Sequence, residues 1–159
     1  MAMASHFRAI STEALAELLA QPEHIHRALA EPASADTHLE LTRVWHGLHF
    51  LLSGVPWCGA PPLDFILNGG APVGEEDVGH GPARGFSADE VTAIADALAT
   101  QSWPELWTRW DPELVRALSL YGIDPDAPEG EPLKTGLDSL TAFIQAVAER
   151  RQAMLVYVL

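Results

Sequence analysis

Apolar and polar residues alternate at the start of the chain. In Ser5-His-Phe-Arg-Ala-Ile10, Phe7 and Ala9 fall on one face and His6, Arg8 and Ile10 on the other, the two-residue period of a strand. Ser11 and Thr12 offer a helix N-cap, and Leu15, Leu18 and Leu19 repeat at helical spacing until Pro22 restarts the helix. The polar stretch Glu31-Pro-Ala-Ser-Ala-Asp-Thr-His38 reads as a link. The strongest helical pattern follows: Leu41, Trp45, Leu48 and Leu52 form a stripe that Val44 and Leu51 widen and Gly54 ends. So wide an apolar face predicts a largely buried helix over 41–53.

The period is then lost. Residues 54–86 hold eight glycines and five prolines, and the only helical piece expected there runs around Leu63 to Leu67, closed by Asn68-Gly69. Loops of this length are usually functional or disordered. Regular structure resumes at Ser87-Ala-Asp-Glu90, a capping box in which serine and glutamate satisfy each other's free backbone N–H groups. Val91, Ile94, Ala95 and Leu98 continue that helix; Ser102-Trp-Pro-Glu105 is expected to start another in the same way, and Asp111-Pro112 a third. Residues 124–131 form an acidic, proline-containing loop. Leu137, Leu140, Ile144, Val147 and Ala148 mark the last amphipathic helix, which runs into Met154-Leu-Val-Tyr-Val-Leu159, a strand apolar on both faces whose natural neighbour is the N-terminal strand. The order strand, many helices, strand predicts a mostly helical α+β domain spanning 1–159, with a small sheet pairing the two terminal strands.

Charge narrows the function classes. The chain of 159 residues carries 22 acidic and 9 basic residues, a net charge of −13. Nucleic acids and anionic membrane surfaces demand the opposite sign, so neither is an expected partner. A basic protein partner is. Ten acids against two bases lie within 87–131, so the excess is concentrated there, and Asp124, Asp126, Glu129 and Glu131 are the candidate partner-binding residues. Cys58 is the only cysteine, which agrees with a reducing compartment. The N-terminal stretch lacks the apolar core of a signal peptide and no apolar run is long enough to span a bilayer, so a cytoplasmic protein is expected.

Three segments together carry a family resemblance: Trp45-His-Gly-Leu-His49-Phe-Leu-Leu-Ser-Gly54, Gly79-His-Gly-Pro-Ala-Arg84 with the Ser87 capping box, and Met154-Leu-Val-Tyr157. Over nearly the whole chain the sequence resembles the YfbM-like family of bacterial proteins, a domain of unknown function. The resemblance implies a cytoplasmic α+β domain and carries over no activity and no catalytic or binding residues.

Several residue types could carry chemistry. His46 and His49, three apart on a helix, are the weak metal candidates; zinc needs at least one further ligand, which His80 or Asp77 would supply. The competing expectation makes His49 a buried, hydrogen-bonded histidine and puts His46 nearer solvent. Trp57-Cys58-Gly59 lacks the second cysteine of a redox pair, which leaves Cys58 as a nucleophile with His49 or His80 as base, or as a small packing residue. The glycines around His80 and Arg84 suggest an anion loop, but their spacing fits no phosphate-binding motif; a turn with Arg84 paired to Glu75, Glu76 or Asp77 is favoured. Trp103, Trp107 and Trp110 share one helical face, which predicts core or, if exposed, a binding patch. No esterase elbow, paired-histidine metalloprotease motif or kinase signature is present, and no cofactor is expected.

Two readings follow. One is a non-enzymatic interaction module with an acidic face. The other is a small-molecule site, or an enzyme, with a pocket between the 41–53 helix and the 54–86 loop, lined by Trp45, His49, Trp57, Cys58, His80 and Arg84.

Overall fold

The two ends of the chain lie side by side. A computed structural model describes residues 2–126 and 130–159, and in it β1 (Ala4–Ile10) runs antiparallel to β5 (Ala153–Val158), with Ser5 opposite Val158 and Ile10 opposite Ala153. All six residues of β5 are buried, as an uninterrupted apolar strand requires. The fold is α+β, but the sheet is larger than the expected terminal pair. It has five antiparallel strands in the order β2-β1-β5-β4-β3, adding β2 (His38–Thr42), β3 (Ala71–Pro72) and β4 (Arg84–Phe86). Strands of two and three residues are too short to show a period, which is why β3 and β4 leave no trace in the pattern.

Among the described residues, seven α-helices cover the two faces of this sheet. The larger core joins Phe7, Met154 and Val156 to α3 (Trp45–Ser53), α4 (Ala88–Ala99), α5 (Trp103–Trp107), α6 (Pro112–Leu118) and α7 (Gly130–Glu149). On the opposite face, Leu155 and Tyr157 meet Leu15, Leu18 and Ile25 from α1 (Thr12–Ala20) and α2 (Ile25–Ala30).

The helix expected over 41–53 starts four residues late. Leu41 belongs to β2, and Arg43 at φ 63° turns the chain before α3 begins at Trp45. Leu41 and Trp45 are both buried in the larger core, so a strand residue and a helix residue mimic one continuous stripe. Gly54 ends the helix as expected, at φ 83°, with its N–H donating to the Phe50 carbonyl. The 63–67 piece is a series of turns with one helical hydrogen bond, from Asn68 N to Asp64 O. The last helix begins at Gly130, seven residues before its first expected marker.

The caps differ in a way that gives a clean test. Ser87 and Glu90 form the reciprocal capping box, and Asp111 caps α6 through Glu113 N. Ser102, expected to act like Ser87, makes no side-chain cap. Ser87→Ala is therefore expected to cost about 1 kcal/mol in urea denaturation and Ser102→Ala no more than a few tenths (~0.3). Equal losses would contradict the difference in geometry.

Candidate functional site

The helix with the widest apolar face in the sequence pattern, α3, carries its histidines inward. His46 and His49 are both fully buried, which corrects the expectation that His46 lies near solvent. Their rings reach the loop that follows the helix. His46 Nε2 donates to the Pro56 carbonyl at 2.7 Å, and its Nδ1 accepts from the Tyr121 backbone N–H at 2.7 Å. His49 Nε2 donates to the Cys58 carbonyl at 2.9 Å. These partners fix the tautomer of each ring, with the proton on Nε2.

Two further side chains complete the pattern. Ser53 Oγ lies 3.0 Å from the Val55 carbonyl, and Asn68 Nδ2 donates to the Trp57 carbonyl at 2.7 Å. Three consecutive carbonyls, from Pro56 to Cys58, are thus each held by a different side chain, while the single proton of Ser53 Oγ faces the His49 carbonyl at 2.7 Å as well as that of Val55. Gly59 then passes between Ser53 and Asp64 so closely that a Cβ there would sit 2.9 Å and 2.8 Å from theirs. The loop is bound down residue by residue, and its side chains point outward: Trp57 is 57% exposed, Val55 39%, and Cys58 is exposed as well.

Arg84 anchors the next segment. Its guanidinium donates to the carbonyls of Phe65, Ile66, Asn68 and Gly69, and the Phe86 ring lies 5.6 Å beneath it. Burial lowers its pKa to about 10, opposed by the buried carboxylate of Asp64, so it remains a cation at neutral pH. The expected pairing with Glu75, Glu76 or Asp77 is replaced by these carbonyls. Asp77 instead accepts from the N–H groups of Gly79 and Gly81, and Glu76 meets His26 at 2.9 Å.

The candidate ligand residues are accordingly divided. Trp45, His49, Trp57 and Cys58 gather at α3 and its loop, where Trp45 stacks on His46 and Tyr121, and the Trp57 ring lies 4.3 Å from that of His46. Arg84 is turned to the 65–69 carbonyls, and exposed His80 hydrogen-bonds through its backbone to Val158 at the end of β5. His49 faces the Cys58 carbonyl, a contact that uses the imidazole N–H and supplies no base to the thiol. For a metal ion, His46 has no free nitrogen, and the free Nδ1 of His49 is sealed in the interior without a partner. Among the described residues no three of His, Cys, Asp and Glu converge as a metal cluster. Burial pushes the pKa of both rings below 6.5.

Three clefts lie elsewhere. One of about 370 Å³ sits between β1 and the α1–α2 segment, with Arg8, His24 and Arg27 on its wall. Another of about 370 Å³ runs between α4 and α7 beside Trp103. The third, about 150 Å³, lies by Asp64 and Phe86. None of these three is lined by His46, His49, Trp57, Cys58, His80 or Arg84. Trp103, Trp107 and Trp110 stack in series at 5.3 Å and 5.1 Å, half-buried against the larger core, so they are neither wholly core nor a free patch. In the acidic segment, Asp124 accepts from Asp126 N, Asp126 pairs with Arg116, and Glu131 is exposed in the first turn of α7; Glu129 lies outside the described residues.

Ser53, Asn68 and Asp64 were not singled out by residue type. Asn68-Gly69 shows in the sequence only as a turn, and nothing local marks it as the donor to Trp57.

A five-stranded antiparallel sheet with its chain ends in adjacent strands, helices on both faces and a histidine-pinned loop defines a distinct α+β class of small domain. The chain belongs to the family described as Domain of unknown function (DUF1877), whose model matches residues 1–157. Its fold is similar to the crystal structure of YfbM, a protein of unknown function from Escherichia coli, with a TM-score of 0.78 and 20% identity over 98% of this chain and 99% of that one. No curated protein matches the sequence. Among the described residues, no helix is long and apolar enough to cross a membrane.

Proposed function

We propose that this chain is a non-enzymatic, cytoplasmic interaction module that docks a basic protein partner through the Trp57 loop and the acidic segment beyond Tyr121. The observation that carries the reading is the fate of the polar residues at α3. Groups with catalytic chemistry are spent on holding three successive carbonyls, and what they present to solvent is an exposed tryptophan. Tryptophan dominates interface hot spots, and a loop already fixed in place loses little further entropy on binding.

The acidic segment supports the choice of a basic partner. His46 touches the Trp57 ring and accepts from Tyr121 N, and the chain leads from Tyr121 directly into Asp124 and Asp126. Anchor and charge are therefore neighbours through one side chain. Charge complementarity of this kind speeds encounter and weakens with salt.

The test is capture from native lysate at low and high salt by three proteins: the unaltered chain, Trp57→Ala, and a variant with Asp124, Asp126, Glu129 and Glu131 neutralised together. One partner should be captured at low salt and lost at high salt. Trp57→Ala should weaken it by about 2 kcal/mol, roughly thirtyfold, with the folded structure retained. Absence of any partner at low salt, or equal binding by all three proteins, would sink the reading.

A further inference from the structure

On the sheet face opposite the larger core, two histidines meet across the edge of the sheet. β2 is an edge strand, joined to the sheet through β1. The register sets Glu40 opposite His6 and His38 opposite Arg8. The imidazoles close the diagonal, with His6 Nδ1 and His38 Nε2 3.0 Å apart. Their planes differ by 9° and their centroids lie 5.2 Å apart, so the separation exceeds the nitrogen contact by about two ring radii. The rings therefore lie edge to edge in one plane, with the facing nitrogens on one line. On its other side His6 lies parallel to the buried ring of Tyr157, at 5.0 Å and 4°.

We propose that His6 and His38 form a two-proton latch that fastens edge strand β2 to the sheet and lets it open locally on acidification. With both rings neutral, one donates and the other accepts. One added proton on an outer nitrogen leaves that bond intact and makes it charge-assisted. A second proton puts N–H on both facing nitrogens, and the contact becomes a repulsion between two cations.

The surroundings act on both rings: burial disfavours the charged form of each, Arg8 opposes it and Glu40 favours it in both, and His38 further opposes it in His6. Arg8 is held beside the pair by the Leu29 and Glu31 carbonyls, each at 3.0 Å. Tyr157 adds an uncharged ring. Whichever ring takes the first proton donates to the other across the same 3.0 Å contact. Burial lowers both pKa values from 6.5, so the folded chain binds fewer protons than the unfolded one as pH falls. The latch is intact while no more than one ring is charged, and its contribution is lost below pH 6.5 as the second proton binds. The collinear contact fits a proton and not a metal ion, since two metal–nitrogen bonds on that line need about 4 Å.

The experiment is amide hydrogen exchange by NMR from about pH 7.5 to pH 5, with ring-nitrogen titration of the same sample. After correction for intrinsic rates, the β2 amides should exchange about tenfold faster at the acid end. In His38→Gln, and separately in His6→Gln, that acid-dependent rise should vanish while the β5 amides stay protected. The rings should titrate in two separated steps, the second displaced to lower pH by the charge of the first. Identical acid-dependent exchange in both variants would overturn the latch. So would independent, single-step titration of the two rings in the unaltered chain, a readout that needs no variant to fold. Equimolar zinc displacing both ring signals together would also overturn it, in favour of a metal pair.

Discussion

Arg84→Met is expected to destabilise the fold by about 3–5 kcal/mol, the largest effect of any single polar substitution here. Methionine fills much of the space and offers no donor. The carbonyls of Phe65, Ile66, Asn68 and Gly69 would lose the guanidinium that now serves all four. Asp64, 5% exposed, would lose the cation it now faces. Arg84→Lys should recover less than half of the loss, because an ammonium is a point donor and cannot span four carbonyls as a planar fork does. Urea denaturation monitored by tryptophan fluorescence measures both. A loss under about 1 kcal/mol for Arg84→Met would mean that the carbonyls are satisfied by water, and that the 61–70 segment does not depend on this residue.

His46→Ala should cost about 2–4 kcal/mol, from the lost ring volume and from two buried backbone groups left without partners. The affected groups are the Pro56 carbonyl and the Tyr121 N–H, so the Trp57 loop and the 119–123 turn should loosen together. His46→Phe keeps the volume and removes the hydrogen bonds, which separates the two contributions. The same ring predicts a pH dependence. His46 must present a lone pair at Nδ1 to accept from Tyr121, and a protonated ring would set one donor against another. Burial holds its pKa below 6.5, so the unfolded state takes up protons first as pH falls. The contribution is complete above pH 6.5 and shrinks below it. Urea midpoints at about pH 7.5 and pH 5.5 should differ more for the unaltered chain than for His46→Phe. An equal difference in both would assign the acid sensitivity to other histidines, His6 and His38 first among them.

These two residues mark where sequence reading reaches its limit. The sequence suggests a pairing of Arg84 with nearby acids and a place nearer solvent for His46, and both expectations rest only on neighbours in the chain. The actual acceptors of Arg84 are 15–19 positions away, and Tyr121, the donor to His46, is 75 positions away. A strand residue, Leu41, was merged with the α3 stripe for the same reason: the pattern records that it is buried, not what buries it. The Ser87 capping box and the Gly54 stop are legible because each is written in residues a few positions apart, and the pairing of β1 with β5 because an uninterrupted apolar strand at one end of the chain needs a strand neighbour and the other end offers one.

The sequence by itself determined what depends on local period and local chemistry: an α+β chain, an apolar central strand at its C-terminal end, a buried helix ending at Gly54, and a strongly acidic stretch after Ser87. Only the tertiary structure decided what the polar residues of the glycine-rich segment do. A pair of histidines three apart on a helix shares one face whatever follows, and could equally meet a metal ion, a ligand or a backbone. Here the loop folds back over that face, and its Pro56 and Cys58 carbonyls take the ring protons. The hydrogen-bonding requirement is universal; which groups meet it is settled by the path of the chain through space.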